Sequence, residues 1–296
     1  MTHRNDLLDS KMRNHWRHAC KLRGVPASVL VSGAVLAGFA LAAIFAPVLA
    51  PYGEGEVFPQ SYAGWDRHFL LGTDSLGRDT LTRLIYGARN SIGVALAAAA
   101  LSFCTGVALG LVAALNRSWL DEVLGRAADI VLAVPSLIFA LMLLAMFGSS
   151  VLNIILIIGF LDASRVFRVA RSLALGIAVM DYVEAARVRG EGTLWLMWRE
   201  ILPNIAPSLA AEFGLRFSFV FLTIASLSFL GVGLQPPTAD WGSMVRETAS
   251  LITFADFDLK AGITPLLPAM SIAAITVAIN FVVDWFFGRE DGADVF

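Results

Sequence analysis

The sequence predicts an all-α, polytopic membrane protein with about six transmembrane helices. Three observations predict it. Of 296 residues, 57% are hydrophobic and only 16% charged, and the mean hydropathy of +0.71 lies outside the soluble norm. The apolar residues gather in charge-free runs that meet the roughly 20 residues a bilayer crossing needs. Lys and Arg are unequally shared among the segments between those runs. The net charge of −2 carries no nucleic-acid signature.

The runs give the elements in order. Gly24 to Gly53 holds the first span, over residues 28–50, after a basic tail at 1–27. Residues 51–89 form an outer loop, and residues 90–288 a core domain with the other five helices. Asn90 to Asn116 is the second span. Ile130 to Leu161 is uncharged but too long for one helix, so Gly148-Ser149-Ser150 is read as a tight turn between spans three and four. Pro135 and Ser136 allow a bend there, and Gly106 and Gly110 allow close helix approach. Ile205 to Gly233 is the fifth span. A loop at 234–266 precedes the sixth, Leu267 to Phe287, and 289–296 is a C-terminal tail.

With both ends inside, the inner segments carry six basic residues in the N-terminal tail, two after span two, six after span four and one at the C-terminus. The outer loops carry four and two, and Arg216 lies within a span. That asymmetry places both termini and the segment after span four on the cytoplasmic side. The apolar run after the tail exceeds the roughly 7–15 residues of a signal peptide, so the first helix is expected to stay.

The most informative segment is Asp181–Asn204. Asp181 and Glu184 read as a capping box, and Gly190 and Gly192 as a helix stop and elbow. A second short helix starts near Thr193, with Leu194, Met197, Trp198 and Ile201 on one face and Pro203 as its end. Two short helices around a glycine elbow, held outside the bilayer, suit a grip by another protein.

Glu184-Ala185-Ala186, then Gly190, then Ile201-Leu202-Pro203, resembles the EAA loop of binding-protein-dependent ABC transporter permeases. Leu71–Ile92 and Phe229–Val245 resemble two blocks of the C-type subunit of dipeptide, oligopeptide and nickel permeases. The resemblance implies a type I ABC importer permease fold in the bacterial inner membrane, with 51–89 and 234–266 periplasmic. It implies that Glu184, Ala185, Ala186, Arg187, Arg189, Gly190, Leu202 and Pro203 form the coupling helix that docks on a separate ATPase. The implied partners are a second, B-type permease, two cytoplasmic ABC ATPase subunits, a periplasmic solute-binding protein and membrane lipid, with no nucleic acid. The chain contains no G-x-x-x-x-G-K-[ST] phosphate loop. No cofactor is expected on it; ATP and Mg would be used by the partner ATPases. The implied cargo is a peptide, with nickel, opines or another small solute as the alternative.

Glu212 and Arg216, four residues apart inside span five, read either as part of the pathway or as a paired couple that fixes packing. Glu212 is the one carboxylate read as intramembrane. Arg165, Arg168 and Arg171 would meet the ATPase, gate the inner mouth or snorkel to anionic lipid. Gln235-Pro236-Pro237 with Trp241-Gly242 reads as a rigid outer loop, with the tryptophan favouring the membrane interface, that contacts a delivery protein or acts as a structural lid or membrane anchor. Cys20 and Cys104 are not expected to pair, no metal site is expected, and none of the four histidines lies in a span. Two rivals are weighed: an ion-coupled secondary transporter, which needs embedded acids, and a membrane hydrolase, for which no HExxH or G-x-S-x-G is present.

Overall fold

The computed structural model describes residues 26–116, 119–254, 256 and 258–287. Cys20, the histidines at 3, 15 and 18, and the C-terminal tail lie outside the described residues.

Helix α1 (Ala27–Ile44) and the single turn α2 (Ala46–Leu49) take up the first apolar run. Leu30, Val31, Ile44 and Val48 on their flanks are each more than half exposed. A helix that is apolar on every side suits a hydrocarbon solvent. After an irregular segment comes α3 (Thr80–Leu115), 36 residues long. It starts ten residues before the expected Asn90. Arg83 and Arg89 interrupt the charge-free run there but not the helix, which Asp79 caps by accepting from the Thr82 amide at 2.7 Å.

The expected third span is two half-helices. Helices α4 (Trp119–Ala133) and α5 (Ser136–Phe147) meet at a 90° bend at Val134-Pro135. Proline removes an amide donor and crowds the preceding turn, which accounts for the break. The chain turns again at Gly148, with φ +83, and α6 (Val151–Ala178) follows. Next come α7 (Asp181–Val188) and α8 (Thr193–Trp195), then a π-helical stretch over Leu196–Ile201 and α9 (Leu202–Phe229). The chain ends in α10 (Trp241–Thr248), a 3₁₀ turn, α11 (Leu259–Ile263) and α12 (Leu266–Phe287).

Among the described residues, four helices are long and apolar enough to cross a membrane: α1, α3, the run Thr193–Phe229 and the run Leu259–Phe287. The bent pair α4–α5 makes a fifth. The remaining expected crossing, span four, corresponds to α6, whose 28 residues suffice in length but carry Asp162, Arg165, Arg168 and Arg171.

Helices α3 and α6 approach most closely. A Cβ placed at Gly106 would come within 2.7 Å of Val166 Cβ, and one at Gly110 within 2.9 Å of Ala170 Cβ and the Phe167 carbonyl. The pair of small residues is therefore a packing device: it lets the backbones approach closely, and dispersion holds them where lipid supplies no hydrophobic drive. The main core joins Ala98, Ile154, Ile158, Val220 and Phe221 to Trp241. A second core beneath the elbow joins Leu111, Ala174, Ile201, Ile205 and Leu209.

Candidate functional site

The elbow is built by its glycine. Gly190 has φ +86 with nothing within 4 Å of where a Cβ would stand, so it is selected by backbone conformation and not by crowding. Its amide donates to the Arg187 carbonyl at 2.9 Å, and the Glu191 amide donates to the Ala186 carbonyl at 3.2 Å. These two bonds satisfy the last carbonyls of α7 in a Schellman turn. The expected capping box does not form. Met180 is the N-cap, no side chain caps the helix, and Asp181 is its first residue. Asp181 and Glu184 thus act through the helix dipole alone.

The expected face of the second short helix is also corrected. Ile201 is buried with Leu196, five residues earlier, whereas Leu194 and Trp198 are about two-thirds exposed. The π-helical winding over Leu196–Ile201 accounts for this, because it shifts the repeat from near four residues towards five. Pro203 does not end the helix either. It stands in the first turn of α9, where its missing amide costs nothing, and the helix runs unbroken from Thr193 to Phe229. The expected second short helix is therefore not separate but continuous with α9.

Val183, Ala186 and Leu196 are buried with Ile177 beside them, which fixes α7 on the end of α6. Glu184, Ala185, Arg187, Arg189 and Pro203 are exposed, and Leu202 is half-buried. Val188 is 83% exposed. With Leu194 and Trp198 it leaves an apolar, base-flanked surface around the elbow.

A second constellation lies between α5, α6 and α9. Arg216 Nε donates to Glu212 Oε1 at 2.5 Å, so the paired couple is present. Asp162 on α6, which the sequence reading left out of the membrane set, joins it. This buried carboxylate accepts from Ser102 Oγ at 2.9 Å and lies 3.6 Å from Arg165 and 3.9 Å from Arg216. Asp162, Arg165 and Arg216 line a cavity of about 370 Å³ that also exposes Ser136 and Thr223. Glu212 is therefore not the lone intramembrane carboxylate. The arginine three residues after Asp162 made it look like the polar end of a span.

The other two arginines of the row pair within the chain. Arg168 bonds Asp129, and Arg171 reaches Asp121 at 2.5 and 2.6 Å. Their partners sit on α4, so the row ties α6 to α4; neither lipid nor a partner chain is needed to satisfy it.

The outer blocks form a third, structural assembly. Asp74 and Glu247 clamp Arg78 and Arg83, with all four contacts between 2.5 and 2.9 Å. Trp241 is 1% exposed, so it anchors the core and does not lie in the membrane interface. Its indole donates to the Leu84 carbonyl at 2.9 Å, and its ring meets Phe39 edge-on. Asp240 caps α10 by accepting from the Gly242 and Ser243 amides. Burial pushes its carboxyl up from the usual range, against the opposing pull of Ser243 and Gly242. Gln235, Pro236 and Pro237 are exposed beside this assembly. Among the described residues, no group of three or more His, Cys, Asp or Glu side chains gathers as a metal would require.

Membrane-length helices, a charged cavity among them and an exposed elbow define a membrane translocation subunit. The chain belongs to the family of binding-protein-dependent transport system inner membrane components, whose model matches residues 106–290. It is 37% identical over 259 residues to a di/tripeptide transport system permease of Pseudomonas aeruginosa, covering 85% of this chain and 82% of the relative. It is 36% identical over 259 residues to a dipeptide transport system permease of Escherichia coli, covering 85% and 83%. A glutathione transport system permease of Pectobacterium atrosepticum is 29% identical over 294 residues, covering 97% and 93%.

Proposed function

We propose that this chain is the C-type permease subunit of an ABC importer that carries di- or oligopeptides across the bacterial inner membrane. The observation that carries the reading is the elbow. Val188, Leu194 and Trp198 stand exposed beside Arg187 and Arg189, and an apolar surface on a polar projection is a protein-docking feature. The occupant is a cytoplasmic ATPase, since the chain lacks a phosphate loop. Glu184, Ala185, Ala186, Gly190, Leu202 and Pro203 shape the docking element. ATP closes the ATPase pair, the elbow moves with it, and the bundle opens outward to receive a peptide from a solute-binding protein. Hydrolysis resets the inward-facing state. A B-type permease completes the path, both termini are cytoplasmic, and this chain performs no covalent chemistry. Peptide cargo is favoured because relatives of three transport systems are named for dipeptides, di/tripeptides and glutathione.

The test is uptake of labelled peptide by proteoliposomes that hold the complete importer. Uptake is expected to need the ATPase subunits and to survive collapse of ion gradients. Uptake that follows the ion gradient and ignores ATP would transfer Asp162 and Glu212 to an ion-coupled carrier. In parallel, Gly190→Val is expected to abolish co-purification of the ATPase while membrane insertion persists. Unchanged co-purification would remove the elbow from the coupling role.

A further inference from the structure

The cavity between α5, α6 and α9 holds two kinds of charge contact. Glu212 and Arg216 meet at 2.5 Å, a closed, charge-assisted bond. Asp162 lies 3.6 Å from Arg165 and 3.9 Å from Arg216, beyond hydrogen-bond length. One oxygen of Asp162, Oδ2, is committed to Ser102. The other, Oδ1, has those two long contacts and belongs to a side chain that lines the cavity. A purely structural ion pair at membrane depth is expected to close fully, because each unpaired charge there is costly. These contacts stay open, so Asp162 Oδ1 and the Nη1 atoms of Arg165 and Arg216 can meet an incoming group, while Arg216 Nε stays held by Glu212.

The bend at Pro135 adds a third element. Ser136, the first residue of α5, also lines the cavity. The first amides of a helix lack intrahelical acceptors and carry the positive end of its dipole. Broken helices that aim such ends at anionic groups are a recurring device for holding solutes within a bilayer. The side of the cavity near Arg216 and Ser136 therefore favours a carboxylate, and the Asp162 side favours a cation.

We infer that this cavity holds a peptide in transit by its two charged ends, the α-ammonium at Asp162 and the α-carboxylate at Arg216 and the start of α5. The inference rests on the peptide-permease reading and adds to it a recognition step within the membrane part. A volume of about 370 Å³ lies within the range of small-ligand sites. The opposed charges also explain tolerance of different side chains, since the termini are common to all linear peptides.

The test uses the complete importer in proteoliposomes, with the solute-binding protein saturated by each peptide. Asp162→Asn is expected to slow uptake of a tripeptide with free ends about tenfold while leaving its N-acetylated form at the wild-type rate. Arg216→Gln is expected to do the same for the free and C-amidated forms. Equal loss for free and blocked peptides, or no loss for either, would overturn the inference. Absence of ATP-driven uptake of any peptide by the wild-type importer would instead sink the underlying function. Should a charge-neutral variant not assemble, a Thr223→Cys variant lacking Cys20 and Cys104 keeps all four charges. A tripeptide bearing a bromoacetyl side chain is expected to alkylate residue 223 during turnover, and excess free tripeptide is expected to prevent it where a doubly blocked tripeptide does not. Equal protection by both, or none by either, would overturn the inference.

Discussion

Arg83 on α3 and Glu247 on α10 meet at 2.5 Å across 164 residues of chain. Asp74 bonds the same guanidinium nitrogen at 2.5 Å, and Arg78 joins both acids. Glu247 stands two residues past the second family-like block, and Trp241 within that block bonds the Leu84 carbonyl of the first, so the two blocks are parts of one folded object. The clamp also explains how two arginines sit on the proposed outer side without opposing the charge rule, since two carboxylates neutralise them.

Removing one member leaves buried charge without a partner. Asp74→Ala strips a bond from both Arg78 and Arg83, each almost fully buried, and is expected to cost about 3–5 kcal/mol. Thermal unfolding of the purified protein in detergent measures it. A loss below about 1 kcal/mol, the surface-pair value, would show that water reaches the clamp.

The α3–α6 contact can be tested with two glycines of one helix. Gly110→Leu forces a side chain into Ala170 and the Phe167 carbonyl and is expected to cost about 1–3 kcal/mol or more. Gly93→Ala meets open space and is expected to stabilise by about 0.5–1 kcal/mol through helix propensity. Similar effects of the two would mean that the helices do not pack as described.

On the elbow, Trp198→Ala removes the largest exposed side chain of the docking surface. If it is an anchor, the affinity for the ATPase falls roughly 10- to 30-fold, measured with purified components, while the unfolding temperature hardly moves. Unchanged affinity would place the contact elsewhere.

Asp240 gives a pH-dependent outcome. Its folded-state pKa is raised, so the folded protein takes up the proton more readily than the unfolded chain. The burial penalty is therefore fully present above the folded pKa and is relieved as pH falls towards the unfolded value. Asp240→Asn keeps the Oδ1 acceptor without the charge. It is expected to gain unfolding temperature over wild type at pH 8 and to lose that advantage near pH 4. Asp240→Ala, which loses the cap, should fall by about 1 kcal/mol at either pH. A constant difference between the Asn variant and wild type would contradict the sign.

The sequence made the apolar crossings, the turn at Gly148 and the elbow at Gly190 legible, because each rests on a local signal: charge-free length or a residue with special backbone freedom. The bend at Pro135 was legible as a possibility, but its 90° extent depends on what packs around it. Asp162 was missed since an acid followed by a basic residue at i+3 reads as the end of a span; only the neighbouring helices show that it is buried. The fate of Pro203 was misread for a related reason. Proline stops a helix it would enter from behind yet suits the first turn of a new one, and no local pattern marks the π-helical join that makes Leu196–Ile201 and α9 continuous. The capping box failed because the N-cap is Met180, whose single carbonyl accepts the Val183 and Glu184 amides, which leaves Asp181 one residue too late to act as cap.

That continuity turns the elbow and the cavity into two ends of one rod. From Trp198 to Arg216 the helix spans eighteen residues without a break, about 27 Å at 1.5 Å per residue. A tilt imposed at the Trp198 end therefore reaches the guanidinium through helix alone, with the π-helical stretch to Ile201 and Pro207 within α9 as the places where that helix can give. On the proposed coupling and cargo roles, opening the 3.9 Å gap to Asp162 becomes a matter of swing in a single piece of backbone.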